Sequence, residues 1–269
     1  MKIIWLGHAS FRIEIEDQVL LVDPWLVGNP VFPQERRAEA ITGATAILLS
    51  HGHGDHASNA ALIAPELGIP VACIHELAES GILGEIETIG FGKGGTISLG
   101  NARVSMVNAC HSSAIDFADG GLAVAGSEAG FMIHGEGHTI YFSGDTDIMA
   151  DMGWFGEYYA PDIGILCAGG HYTMDMNAAA WAARKFFNFK TVIPCHYKTF
   201  PILAQTADDL IAGLPNVDVK TPDVLDVLEF CGELVASGTT LRKEFGEKCA
   251  GFLGSYSIVD FGNVVRLRM

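Results

Sequence analysis

The segment His51-Gly52-His53-Gly54-Asp55-His56 sets four metal-ligating side chains within six residues. Residues two apart in extended backbone project to the same side, so His51 and His53 can reach one ion. Gly54 permits a sharp turn, after which Asp55 and His56 can serve a neighbouring ion. A His-rich surface loop would be the plainer account, but here the ligand types are separated only by glycines. The segment also follows Ala46 to Ser50 (AILLS), a continuous apolar run of the kind that forms a strand buried on both faces. A loop leaving the end of such a strand is a usual place for a binding site.

The elements that must hold this loop can be read from periodicity. Residues 3–7, 11–15 and 19–22 are short β-rich runs, the second with clear in/out alternation, and together they predict an antiparallel meander. Residues 58–67 are helix-compatible until Gly68-Ile69-Pro70 stops them. Further strands are expected at 71–74, 96–99, 102–109, 129–133 and 139–143, with Gly135-Glu136-Gly137 as a hairpin turn. Strands at 163–167 and 191–194 alternate with helices at 178–187 and 208–213. Mixed strands with interleaved helices indicate an α/β fold of two sheets covered outside by helices.

With those elements placed, the HxHxDH stretch at 51–56 resembles the signature of the metallo-β-lactamase superfamily. The resemblance implies an αββα sandwich, two mixed β-sheets packed face to face with helices outside, over residues 1 to about 230. It also implies a two-metal site completed by a later His, a bridging Asp and a last His. His111, Asp145 and His196 occur in that order, each just past an expected strand. By resemblance His51, His53 and His111 would bind the first ion and Asp55, His56 and His196 the second, with Asp145 bridging. Nitrogen and oxygen donors without thiolate suit zinc, with manganese or iron as alternatives. Asp23, in Val22-Asp23-Pro24-Trp25, matches the family's early Asp, which can hold a ligand imidazole by its second nitrogen.

Two further segments, Gly7-His8-Ala9-Ser10 and Gly169-Gly170-His171-Tyr172-Thr173-Met174, look like a narrower branch of hydrolases related to ascorbate-6-phosphate lactonase. There His8 and His171 would line the substrate pocket, His171 as donor or acid. Thr173 or Asp175 would cap the next helix and leave amide donors directed toward an anionic group. His75, His134 and His138 have no such setting and read as structural or exposed. Cys110 and Cys195 flank two of the histidines, but adjacent side chains point apart on a strand end, so both read as core thiols.

Two ions sharing a water would lower its pKa toward about 7, giving a metal-bound hydroxide able to attack a carbonyl or phosphoryl centre. The expected activity is therefore hydrolysis of a small ester, lactone or phosphoester, with Asp55 as ligand first and proton acceptor second. A nuclease or cyclic-nucleotide phosphodiesterase of the same fold is the nearest alternative. A di-iron redox protein fits less well, because Glu typically replaces the second His of the motif, here His53, and no flavin domain is visible. A metal binder without catalysis is the remaining alternative.

Composition narrows the partners. At 269 residues and 49% apolar content the chain can fill a sizeable core. Its formal charge of −16 disfavours a nucleic-acid polymer, whose affinity rests on Lys and Arg neutralising phosphates. No apolar run reaches the roughly 20 residues of a membrane span, and six scattered cysteines without CxxC suggest reduced thiols. Residues 1–5 lead straight into a strand pattern, so a cytoplasmic protein is expected. Residues 231–269 differ: they hold 5 basic and 4 acidic residues, against 11 and 28 in residues 1–230. This C-terminal extension reads as an added hairpin, a contact in a homo-oligomer or an altered reading frame.

Overall fold

A computed structural model describes residues 1–116, 122–231, 257–260 and 265–268. The chain divides into two compact units, Met1–Phe230 and Cys231–Met269. In the second, strands Ser257–Asp260 and Val265–Arg268 pair antiparallel.

The first unit holds two seven-stranded mixed sheets. In chain order the first sheet contains β1 (Lys2–Trp5), β2 (Phe11–Ile15), β3 (Gln18–Val22), β4 (Ala46–Leu48), β5 (Val71–Ile74) and β6 (Thr88–Phe91). The second contains β7 (Thr96–Leu99), β8 (Ala102–Asn108), β11 (Ala129–Gly135), β12 (His138–Phe142), β13 (Ile163–Cys167), β14 (Thr191–Cys195) and β15 (Asp218–Val219). A short ribbon of β9 (Ile115–Asp116) and β10 (Leu122–Ala123) lies between β8 and β11 in sequence, and β16 (Val227–Glu229) returns to pair with β1.

Helices join the strands: α1 (Arg37–Ile41), α2 (Gly54–Ala57), α3 (Ala60–Leu67), α4 (His75–Glu79), α5 (Met152–Tyr158), α6 (Met176–Phe186) and α7 (Asp208–Gly213). Inner faces of both sheets share one apolar core: Phe11 of β2 meets Phe142 of β12 at 6.2 Å between ring centroids, and Phe91 of β6 meets Phe131 of β11 at 6.3 Å. This is the expected sandwich of two mixed sheets.

Local chemistry explains the elements. Phe11, Ile13 and Ile15 are buried while Arg12 and Glu14 between them pair at 2.8 Å on the outer face, as period-two alternation requires. The turn between β11 and β12 is two residues, Glu136 and Gly137, both left-handed (φ 50° and 79°), which matches the twist of the flanking strands. The helix expected at 58–67 begins at Ala60 and stops at left-handed Gly68. Periodicity did not predict the short helices α1, α2, α4 and α5, four to seven residues long, or the strands β6, β9, β10, β15 and β16.

Strand direction decides where the loops converge. β3, β4 and β5 run parallel, as do β12, β13 and β14, and β8 runs the same way as β12 because both are antiparallel to β11. The loops after β3, β4, β8, β12, β13 and β14 therefore leave their sheets at C-terminal strand ends, the usual ligand-binding edge of such sheets. The Ser50 carbonyl accepts the Ala129 amide at 2.9 Å and ties the two sheets together at this edge.

Leu48, with no exposed surface, is the last residue of β4 before the ligand loop. Leu48→Ala is expected to cost about 2–5 kcal/mol of unfolding free energy, read from denaturant midpoints at unchanged slope.

Candidate metal centre

The loop after β4 carries the His-rich segment as the spacing suggested. His53 is extended (φ −61°, ψ 147°) and caps the start of α2, whose first turn holds Asp55 and His56. His51 Nε2 and His53 Nδ1 stand 3.0 Å apart, and the His111 ring, delivered by the loop after β8, lies 5.4 and 5.2 Å from theirs. One ligand atom from each of His51, His53 and His111 falls within 4.8 Å of the others. A second group of the same compactness joins Asp55, His56 and His196 with His8.

Asp145 stands between the groups. Its Oδ2 is 3.0 Å from His196 Nε2, 3.4 Å from His56 Nε2 and 3.6 Å from His111 Nε2, so it touches members of both. The preceding Gly144 is left-handed (φ 59°), and a Cβ there would overlap the Ala129 carbonyl, so the turn that delivers Asp145 requires glycine. All seven ligand candidates are brought together, with His51, His56, Asp145 and His196 buried and His53, Asp55 and His111 half-buried on the open side.

A shell of partners fixes the ring orientations. Asp23, fully buried, accepts from the Ser50 amide at 2.7 Å, from the Ser50 hydroxyl, and from His56 Nδ1 at 2.8 Å. That leaves His56 Nε2 aimed at Asp145 and Asp55. The Ser50 hydroxyl also contacts His51 Nδ1 at 2.9 Å, leaving Nε2 for the site. Such partners fix tautomer and direction of metal-binding imidazoles.

The charges are unbalanced without a cation. Burial disfavours a protonated His56, yet Asp145, Asp55 and Asp23 outweigh it and raise its pKa well above the usual value. His196 likewise rises to about 9 against the cost of burial, through Asp145 and Asp55. Asp145 and Asp55 stay ionised despite burial because these rings face them. Burial lowers His51 and His111. His56 Nε2 and Asp145 Oδ1 are buried without a hydrogen-bond partner, as is the other nitrogen of His196, Nδ1. Nitrogen and oxygen donors converging on orphaned buried atoms fit a divalent cation.

His8 and His171 part company. His8 has no exposed side chain: its Nδ1 meets Thr199 Oγ1 at 2.6 Å and its Nε2 meets Asp55 Oδ2 at 2.9 Å. Burial lowers its pKa to about 4. It therefore supports Asp55 from behind and does not line an open pocket as the sequence suggested. His171 is exposed in the loop after β13, which abuts the site through Gly169, where a Cβ would overlap the His196 carbonyl. Asp175, accepting the Ala178 amide at 2.7 Å, is the cap of α6, while the Thr173 hydroxyl bonds the Met174 carbonyl instead. Cys195 is buried as expected, but Cys110 is exposed because it has already left β8 for the His111 loop. His138 pairs with Asp162 at 2.7 Å and His134 with Thr139 at 3.1 Å, both structural contacts.

Sequence reasoning missed Ser50 and Thr199. Ser50 adjoins His51, a hint that adjacency alone offered; Thr199 meets His8 across 191 residues and left no local signal.

A profile of the β-lactamase superfamily domain matches residues 2–196, ending on the last ligand candidate. The chain belongs to the β-lactamase superfamily. Within it lie its close relatives: a UPF0173 metal-dependent hydrolase of Paracoccus denitrificans, 64% identical over 226 residues, covers 84% of this chain and 98% of the relative. Another, from Cereibacter sphaeroides, is 62% identical over 231 residues, covering 84% and 98%. This superfamily member also resembles the solved structure of a metallo hydrolase from the archaeon Ignicoccus hospitalis, with TM-score 0.74 and 28% identity, over 85% of this chain and 98% of that one. It is thus a metal-dependent hydrolase of the metallo-β-lactamase fold. Among the described residues no helix is long and apolar enough to cross a membrane.

The raised His196 predicts a pH dependence. In the metal-free protein its proton stabilises the fold fully below about pH 6.5, an effect lost as pH rises through about 9. Ligation needs the neutral ring, so cation affinity is expected to rise with pH up to about 9. The increase should approach about tenfold per pH unit for each proton displaced. Competitive chelator titrations across that range would show it, and a flat profile would contradict the ligand assignment.

Proposed function

We propose that this enzyme holds two divalent cations, zinc by donor preference, and hydrolyses a small ester, lactone or phosphoester. The observation that carries the reading is Asp145 Oδ2, within 3.0–3.6 Å of histidines from both ligand groups. A single carboxylate oxygen so placed suits a bridge between two ions. His51, His53 and His111 would hold one ion, and Asp55, His56 and His196 the other.

Bound cations would supply Lewis acidity, making a nucleophile from water near neutral pH and polarising the oxygen that gains charge. The chain's own residues supply the rest. Asp55, half-buried on the open side, can receive a proton on the oxygen not held by His8. His171, exposed two residues beyond the point where its loop meets His196 at Gly169, would donate to a substrate or leaving-group oxygen. The capped N-terminus of α6 follows it by five residues and adds amide donors that suit an anionic substituent. His8 and His171 in their GHAS and GGHYTM settings support kinship with the ascorbate-6-phosphate lactonase branch.

Metal analysis of the purified protein, followed by turnover on a panel of lactones, phosphodiesters and amides with that metal restored, tests the reading. Asp55→Ala is expected to lower turnover by more than about 100-fold, beyond the loss typical of a supporting residue, with circular dichroism unchanged. Full activity in that variant would sink the mechanism. His171→Ala should lower kcat/KM by about 100-fold at unchanged metal content, as loss of a general acid does. A fall in metal content would instead make His171 a ligand.

A further inference from the structure

The buried contacts of His8 form a closed circuit around one half of the ligand set. Its backbone, left-handed at φ 56°, presents a carbonyl that accepts from the Trp5 indole at 2.9 Å and from the His196 amide at 3.0 Å. Its ring lies 4.0 Å from that of His196 and makes edge contacts with Trp25 at 5.2 Å and Phe200 at 5.4 Å. Side chain and main chain are therefore both locked, and the ring cannot turn without displacing its neighbours.

Within that lock the proton positions follow from donor and acceptor capacity. An ionised Asp55 can only accept, so His8 Nε2 carries the hydrogen of their 2.9 Å contact. His8 Nδ1 then accepts, and the Thr199 hydroxyl, 7% exposed and 2.6 Å away, donates to it. Thr199 belongs to the same loop that delivers His196, three residues earlier, so one segment supplies a ligand and orients the support of another. Asp55 Oδ2, held by His8, stands 3.6 Å from His196 Nε2 and 3.8 Å from His56 Nε2. The other ligand group has a different support: Ser50, itself bonded to Asp23, contacts His51 Nδ1, and among the described residues no hydrogen bond joins Thr199 or the His8 ring to His51, His53 or His111.

We propose that Thr199, acting through His8, is a positioning residue that holds Asp55 in its ligating orientation, so that the Asp55–His56–His196 position depends on Thr199 and the His51–His53–His111 position does not. The proposal rests on the two-ion reading above, and gives that site two separately adjustable halves. A weakened hydrogen-bond chain would leave an enzyme that keeps one ion firmly and exchanges the other.

The test compares zinc binding by the full chain in its wild-type, Thr199→Val, Thr199→Ser and His8→Gln forms, by stoichiometry and competitive chelator titration. Valine keeps the shape of threonine without the hydroxyl, serine keeps the hydroxyl, and glutamine can still present an amide hydrogen to Asp55. Thr199→Val is expected to weaken one of two zinc equivalents by about 10–100-fold and leave the other within about twofold, the usual scale for a support of a ligand. Thr199→Ser should restore the wild-type profile, and His8→Gln should lose no more than Thr199→Val. Equal weakening of both equivalents would assign Thr199 a general structural role and overturn the proposal. So would unchanged binding of both equivalents, or a serine variant no better than valine. A wild type that binds fewer than two equivalents would overturn the two-ion reading itself, and this proposal with it.

Discussion

The carboxylate of Asp23, sealed from solvent at the end of β3, is the constraint on which the ligand loop depends. Its two oxygens take three donors, the Ser50 amide, the Ser50 hydroxyl and His56 Nδ1. A buried carboxylate without such donors would be costly, so the loop after β4 has to fold over it. Once it does, Ser50 is placed to hold His51, and His56 is turned so that its remaining nitrogen faces Asp145. Two of the four ligand candidates in the 51–56 segment are thus aimed by one buried carboxylate.

The two sheets repeat one plan, an antiparallel portion followed by a parallel one, and deliver their chemistry from corresponding ends. The first sheet contributes His8, Asp23 and the 51–56 loop; the second contributes His111, Asp145, His171 and His196. Neither set is complete alone. The hydrogen bonds from the Ala129 amide to the Ser50 carbonyl and from the His196 amide to the His8 carbonyl, at 2.9 and 3.0 Å, are where one sheet's loops grip the other's. Rigidity of the centre therefore follows from sheet packing, and the close-packed core behind it transmits position to the ligands.

Much of this was legible in the residues because the relevant signals are local. The alternation of Phe11 to Ile15 marks which face is buried, the apolar run before Ser50 marks a central strand, and each later ligand candidate stands just beyond a strand end. The short helices α1, α4 and α5 were not legible, since one or two turns leave no usable period and take their stability from tertiary packing. The contacts of His8 were not legible: a histidine after a strand looks the same whether it faces a substrate or a carboxylate. The difference lies in Thr199 and Asp55, one far along the chain, and only folding brings them to its two nitrogens.

The distribution of charge bears on what such a centre can accept. Lys198 is the cation nearest in sequence to His196, but its ammonium sits over the rings of Trp5 and Tyr197, 5.7 and 5.3 Å from their centroids. It is engaged with the aromatic support of the His8 loop, where cation–π attraction holds it. Two divalent ions beside the Asp55 and Asp145 carboxylates would leave net positive charge at the centre, set in a chain whose formal charge is −16. Attraction for a substrate oxygen would then be short-ranged, strong at the ions and opposed by the surrounding surface. A small molecule that places one polar group at the ions meets this field favourably. A long polyanion would meet the acidic surface along its length and gain at one point only.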